Sequence, residues 1–351
     1  MPVEPPSSLA AISERVAARI DALLAAEQQR WGAVDADMVE PYTSLRALVS
    51  RGKRLRPAFC HWGWVGAGGD PDDPRIVDAG AALELLHAFA IVHDDIMDGS
   101  TRRHGRPCVH VEFADRHAER GWRGEARRFG DGAALLIGDL AFVYADRLLS
   151  GAPADAMDVF TELRVEVNVG QYLDLIGTAT RNASPARART ICVYKSGKYT
   201  IERPLHLGAA LAGRLDDLAK AYTAYGIPLG EAFQLRDDLL GAFGDAERLG
   251  KGVGEDIREG KPTALYAAAR GRAGAADAAL LDRCYGRPDL TDAEIAGVQQ
   301  VLTDTGARAE IEGAVTTLTD TALGALAEAH LPEPAAAELA ALAQFVSGRD
   351  F

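Results

Sequence analysis

The 351-residue sequence predicts an all-α fold built as one large domain. Three observations predict it. Apolar residues recur at spacings of three and four along most of the chain, and alternating, strand-like runs are scarce. Proline, glycine and short polar clusters punctuate segments of helical length. No fixed-period repeat and no convincing linker divides the sequence, and a hydrophobic share of 48% supplies a sizeable core.

The elements follow in order. Ser8 can cap a helix over Ala10–Arg30, whose Ile12, Val16, Ile20, Leu23 and Leu24 keep amphipathic spacing. A second helix is expected near Pro57, because proline is tolerated in a first helical turn. Asp70–Pro74 reads as a turn leading into a long apolar helix that ends at Asp94-Asp95-Ile96-Met97-Asp98. Residues from about Thr101 to Gly132 are polar and rich in glycine and arginine, and read as a surface excursion. Helices are expected again over Ala133–Leu149 and Asp155–Leu175. A further one, Ala186–Ala212, should be kinked or broken by Gly197 and Pro204. Next come a helix from about Leu229 to Phe243, a glycine-rich loop from Gly250 to Gly260, and alanine-rich helices beyond Thr263. Breaks are expected near Gly286–Pro288 and Pro332–Pro334.

Composition excludes several functions. Lys+Arg 38 against Asp+Glu 51 gives a net charge of −13, which argues against nonspecific binding to nucleic acid or anionic membranes. The N-terminus lacks a basic start followed by an apolar core, so no secretory signal is expected. No run of about twenty uninterrupted apolar residues is present, so no integral membrane segment is expected. Cys60, Cys108, Cys192 and Cys284 are scattered without a CxxC pair, which reads as reduced thiols in a cytoplasmic protein.

Chemistry concentrates in two acidic segments set in apolar helices. Asp94 and Asp98 lie one turn apart on one helix face, and His87 falls on the same stripe. Asp237 and Asp238 follow Gln234 with similar spacing, and Gly241 stands where a last carboxylate could have been. If the two helices face each other, the carboxylates converge. Two unit charges about 4 Å apart repel by roughly 4 kcal/mol at an effective dielectric near 20. Such a group needs a counter-charge, and an all-oxygen set suits Mg²⁺ bridged to substrate phosphates. Basic residues accompany both segments: Lys53 and Arg56 before a helix start, Arg102, Arg103 and His104 after the first segment, Lys195 with Ser196, and Lys251 and Lys261 around the glycine-rich loop. A helix N-terminus flanked by cations favours a diphosphate.

These residues, in this order, resemble the trans-type isoprenyl diphosphate synthases of the polyprenyl synthetase family. The match runs from Gly52–Pro57 through DDIMD, the Arg103/His104–Gly105–Pro107 segment, Gly170-Gln171 with Asp174, Lys195-Ser196 and Gln234–Gly241, to Lys251-Gly252, Asp256 and Gly260-Lys261. The resemblance implies a helical bundle around a deep central cavity, usually a homodimer. It implies head-to-tail condensation of isopentenyl diphosphate with an allylic diphosphate. Asp94, Asp98 and Asp237 would hold Mg²⁺, supported by Asp95 and Asp238. Lys195, Lys251 and Arg103 would grip the allylic diphosphate. Lys53, Arg56 and His87 would bind isopentenyl diphosphate, and either Arg102 or His104 would add a second phosphate contact. Lys261, Gln171 and the Gln234 amide complete the expected site. Bulk four, five and eight residues before the first aspartate limits product length in the family, which points to Ala90, Phe89 and Leu86. Small Ala90 beside large Phe89 is similar to geranylgeranyl diphosphate synthases, with farnesyl or longer products as alternatives.

Two rival functions share the acidic signature. A class I terpene cyclase would not need Lys53, Arg56 and His87 for a second diphosphate. A non-catalytic subunit of a heteromeric synthase would be expected to lose metal ligands, and both segments here are largely intact.

Overall fold

The computed structural model describes residues 4–50, 52–103, 105–180, 184–244 and 254–348. It is all-α apart from a two-stranded antiparallel hairpin, Arg102–Arg103 against Arg106–Pro107, among the described residues. His104 and Lys251 lie outside the described residues, as do residues 250–253 of the expected glycine-rich loop. The chain divides into two compact units.

The first unit holds Ser7–Asp158 with Pro204–Leu215. Helix α1, Ser7–Gly32, starts three residues ahead of the expected Ala10 and buries Leu9, Ile12, Val16, Ile20, Leu23 and Leu24. Helix α2 is Val39–Val49 and α3 is Leu55–Gly66, so Pro57 falls within the first turn of α3. Helix α4, Pro74–Asp98, opens with proline in its first turn, and the Asp73 carboxylate accepts from Arg75 N–H. It is buried around much of its circumference, with Ala79, Ala81, Leu83, Leu85 and Leu86 fully inaccessible. Among the described residues α4 is the one helix long and apolar enough to cross a membrane by length and composition, and 61% of its apolar window is buried inside the protein. Gly99, left-handed at φ 67°, ends the helix.

The stretch after Thr101 is not only a surface excursion. It contains helix α5, Val109–Glu119, with Val109, His110, Phe113 and His117 buried. Helix α6 then begins at Ala126 and runs to Leu148. The polar composition of the stretch hid α5 because the inward stripe is half histidine. Cys60, Cys108, Cys192 and Cys284 are buried and form no disulfide.

The second unit is built mainly from Val159–Arg203 and Asp216–Phe351. Helix α7 is Ala154–Thr180 and α8 is Pro185–Ile191. The interruption expected at Gly197 takes the form of a π-helix, Cys192–Glu202, running directly into α9, Arg203–Leu211. Pro204 lies at the junction, the second residue of α9. Helix α10 spans Leu215–Phe243, well ahead of the expected Leu229, and carries Pro228 in its interior. One face of it, Ala232, Leu235, Leu239 and Ala242, packs in a core with Ile257, Leu265, Leu281, Ile295 and Val298. Helices α11 (Glu255–Glu259), α12 (Ala264–Arg272), α13 (Ala275–Cys284), α14 (Asp292–Asp304), α15 (Ala307–Glu328) and α16 (Glu333–Gly348) complete the unit. Breaks fall near Gly286 and Pro332, as the sequence predicts.

Candidate active site

In the first unit the acidic residues occupy the last turn of α4, which contains no basic residue. Backbone carbonyls already make a helix C-terminus partly negative, so carboxylates there raise the demand for cations. Arg103 answers it. Gly99 turns the chain, Ser100 N–H donates to the Asp95 carbonyl at 3.0 Å, and the hairpin brings Arg103 back. Its Nε and Nη2 stand 2.8 and 2.7 Å from Asp95 Oδ1, with Nη2 3.6 Å from Asp94 Oδ2. Burial disfavours the guanidinium charge, but Asp95 and Asp94 outweigh that and raise its pKa. Asp95 is only 2% exposed, whereas Asp94 and Asp98 are half-buried. Arg102 is exposed and donates to the Gly105 carbonyl at 2.5 Å.

Lys53 and Arg56 flank the start of α3 and are half-buried. Arg54 between them adopts the left-handed region, φ 51°, and points inward to Glu84 Oε2 at 2.6 Å. The alternation therefore separates a structural arginine from two basic residues that keep access to solvent. On α4, His87, Phe89 and Ala90 are half-buried and Leu86 is fully buried. The Phe89 ring lies tilted against His93, centroids 4.5 Å apart, and against Phe142 of α6 at 4.9 Å. His93 escaped the sequence reading. A Cβ on Gly138 would stand 2.4 Å from its Nε2, so glycine is what lets α6 approach.

In the second unit Lys195, in the π-helix, places Nζ 2.5 Å from Asp174 Oδ2 on α7. Ser196 and Gln171, on the same two elements, are half-buried. On α10, Gln234 Nε2 donates to Asp238 Oδ1 at 2.8 Å. Burial pushes the Asp238 pKa up to about 8; the Gln234 hydrogen bond opposes this and the negative charges of Asp256 and Asp237 add to it. Lys261 Nζ lies 2.7 Å from Glu259 Oε2 and 3.6 Å from Asp256 Oδ1.

Gly241 has a structural cause that sequence reading missed. A Cβ there would stand 1.9 Å from Asp256 Oδ2. The carboxylate of Asp256, reaching from α11, holds the space that a side chain at 241 would enter.

Among the described residues, no group of three or more His, Cys, Asp or Glu forms a ready-made metal cage. Mg²⁺ does not require one: it keeps several waters and commonly takes one or two carboxylates with substrate phosphates. The donors fit that pattern. They are all oxygen, and a carboxyl raised to about 8 beside further acids is one that a divalent cation would return to its ionised form.

Residues 40–302 match the family model described as polyprenyl synthetase. The chain is 33% identical over 260 residues to a short chain isoprenyl diphosphate synthase of Methanothermobacter thermautotrophicus, covering 72% of this chain and 74% of that one. It is 31% identical to a (2E,6E)-farnesyl diphosphate synthase of Mycobacterium bovis, covering 85% and 80%. In structure it is similar to geranylgeranyl pyrophosphate synthase from Corynebacterium glutamicum, solved with isoprenyl diphosphate and magnesium. That likeness has a TM-score of 0.92 at 36% identity and covers 96% of this chain and 98% of the other.

Proposed function

Because the chain belongs to the polyprenyl synthetase family, we propose that it is a prenyltransferase making geranylgeranyl diphosphate. It condenses isopentenyl diphosphate head to tail with dimethylallyl, geranyl or farnesyl diphosphate. We read residues 1–351 as one synthase domain, on the ground that the family match at residues 40–302 runs through both units. The observation that carries this reading is the pairing of the acids: Asp95 lies under Arg103, Asp174 under Lys195, Asp238 under Gln234 and Asp256 beside Lys261. Three of these pair a carboxylate with a cation and the fourth pairs one with an amide donor, a set suited to sharing a diphosphate rather than solvated surface charges.

Asp94, Asp98 and Asp237 would hold Mg²⁺, with Asp95 and Asp238 behind them. Bound there, the metal would neutralise the diphosphate oxygens on which negative charge grows as the allylic C–O bond breaks. Arg103 supplies the counter-charge to Asp94 and Asp95 and offers its remaining donors to the allylic diphosphate. Lys195 exchanges part of its contact with Asp174 for a phosphate oxygen, and Lys251 and Lys261 add positive charge. Lys53, Arg56 and His87 bind isopentenyl diphosphate, with Arg102 or His104 as a further grip. Gln171 steadies the α7 side of the site.

The bond breaks with its electron pair leaving on the diphosphate, so the allylic fragment becomes a cation. Dipoles rather than nucleophiles must face it. The Lys195 carbonyl, the Ser196 hydroxyl and Gln234 Oε1, turned away from Asp238 by the amide's own hydrogen bond, are the groups assigned to that task. The isopentenyl double bond attacks the cation, a carbon–carbon bond forms, and the released diphosphate takes the proton that leaves as the new double bond closes. Phe89, Ala90 and Leu86 limit how far the product can grow.

We assign the protein to the cytoplasm and to a homodimer. Support for the dimer is the exposed apolar stripe of Val165, Val169 and Tyr172 on α7, with Leu136 and Val143 exposed two turns apart on α6. A monomer at assay concentration, by light scattering, would overturn that assignment. The function is tested by incubating purified protein and Mg²⁺ with labelled isopentenyl diphosphate and each allylic starter, then sizing the products. A twenty-carbon diphosphate is expected. Hydrocarbon from an allylic diphosphate alone would mean a cyclase, and no elongation with any starter would refute the reading.

A further inference from the structure

The π-helix Cys192–Glu202 is unusually long for a conformation that mostly appears as a single widened turn. It therefore needs support from outside, and α7 supplies it along one stripe. Glu166, Gly170 and Asp174 lie at i, i+4 and i+8, on one face of that helix. Asp174 holds Lys195 Nζ at 2.5 Å. A Cβ on Gly170 would stand 2.3 Å from the Lys195 backbone nitrogen, so the two backbones touch there. Glu166 takes the far end: Oε1 accepts from Lys198 Nζ at 2.8 Å and from Arg203 Nη2 at 2.7 Å, and Oε2 accepts from Arg203 Nε at 2.7 Å.

The other side is held as well. Lys198 Nζ also reaches Glu202 Oε2 at 3.0 Å, and Glu202 Oε1 accepts from Thr223 Oγ1 of α10 at 2.7 Å. On the same helix, a Cβ at Gly230 would stand 2.5 Å from Gly197 Cα, and one at Gly226 would stand 2.8 Å from Glu202 Cα. Glu166 and Glu202 are 6% and 3% exposed, and two acids against two bases leave the buried group without net charge. Burial would raise the Glu166 pKa, but Arg203 and Lys198 together hold it below its ordinary value.

A change of helical register by one residue would rotate every later side chain by about 100°. Lys195 would leave Asp174, or Lys198 and Arg203 would leave Glu166. Contacts at three points along α7 are compatible with one register only. We propose that Glu166 is a positioning residue: by clamping Lys198 and Arg203 it fixes the π register that aims the Lys195 ammonium and the neighbouring backbone at the allylic diphosphate. This rests on the reading of Lys195 given above.

The test is a kinetic cycle on the full-length protein with Mg²⁺, varying each substrate separately and recording melting temperature in parallel. Glu166→Gln should lower kcat/KM for the allylic diphosphate by between about tenfold and a hundredfold. KM for isopentenyl diphosphate should stay within about twofold, since a misaimed Lys195 does not touch that substrate. In a Lys195→Ala background Glu166→Gln should cost nothing further, because the residue it aims is gone. Lys198→Arg should retain most activity and Lys198→Met should behave like Glu166→Gln, which supplies the same readout if Glu166→Gln does not fold. Equal losses for both substrates, or losses that multiply with Lys195→Ala, would overturn the proposal while leaving Lys195 in place. An unaffected allylic KM and kcat in Lys195→Ala itself would instead remove the reading on which it rests.

Discussion

Replacing Gly241 gives the sharpest check on the second acidic segment. A methyl group at 241 would stand 1.9 Å from Asp256 Oδ2, 2.6 Å from its Cγ and 3.2 Å from Oδ1. Non-bonded atoms settle near 3.5–4.0 Å, so the carboxylate must retreat by roughly 1.5 Å. That retreat disturbs a contact 3.6 Å from Lys261 Nζ, in a region whose packing includes Ile257 and Leu239. The obstructing atoms are the end of a short side chain that can turn aside, so the cost lies near the low end of the about 1–3 kcal/mol usual for overpacking. Gly241→Ala should therefore melt a few degrees below the parent, at about 2–4 °C per kcal/mol. Gly241→Asp should be worse, because it adds a like charge worth up to roughly 4 kcal/mol at 4 Å. Scanning calorimetry in metal-free buffer measures both. In an Asp256→Ala background the penalty of Gly241→Ala should vanish, since the obstructing carboxylate has gone. An unchanged melting temperature for Gly241→Ala, or a penalty that survives Asp256→Ala, would show that Asp256 does not hold that space.

Asp94→Ala and Asp237→Ala should each lower turnover by at least about a hundredfold, as should chelation, with Mg²⁺ restoring only the chelated parent; a normal rate in either variant removes it from the metal set. Lys53→Ala should raise KM for isopentenyl diphosphate with the allylic KM little changed, which initial-rate kinetics on both substrates will read. Phe89→Ala should lengthen the product, since it opens the space its ring fills between His93 and Phe142; an identical chromatogram would count against Phe89 as the stop. His61 is buried, and chiefly for that reason, with Arg15 nearby, its pKa is pulled down to about 4. The unfolded chain takes up a proton near pH 6.5 and the folded one does not. Stability from this residue is thus present above about pH 6.5 and lost as the pH falls toward 4, by about 2–4 kcal/mol in all. His61→Gln should flatten the melting curve against pH over that interval, and an equally steep profile would contradict the burial argument.

Much of the fold was legible in the residues alone. Amphipathic spacing gives α1, and the Asp73-Pro74 start gives α4, because these are local consequences of side-chain spacing and backbone chemistry. Family membership followed from residues whose order along the chain is itself the signal. The misses have physical reasons. α5 buries His110 and His117 beside Val109 and Phe113, so its inward face does not look apolar. The interruption at Gly197 was legible, but its form, a π-helix packed against α7 at Gly170 and α10 at Gly230, depends on contacts the local sequence does not show.

By itself, then, the sequence determined the helical class, the two acidic segments and the residue types able to carry diphosphate chemistry, since each depends on neighbours a few residues apart. Only the tertiary structure decided which carboxylate meets which cation: Asp95 with Arg103, Asp174 with Lys195, Glu166 with Lys198 and Arg203. It also decided that Gly241 yields its space to Asp256. Apart from Asp95 and Arg103, which meet across one turn, those pairings join separate helices, and charges act through space, where sequence separation no longer measures distance.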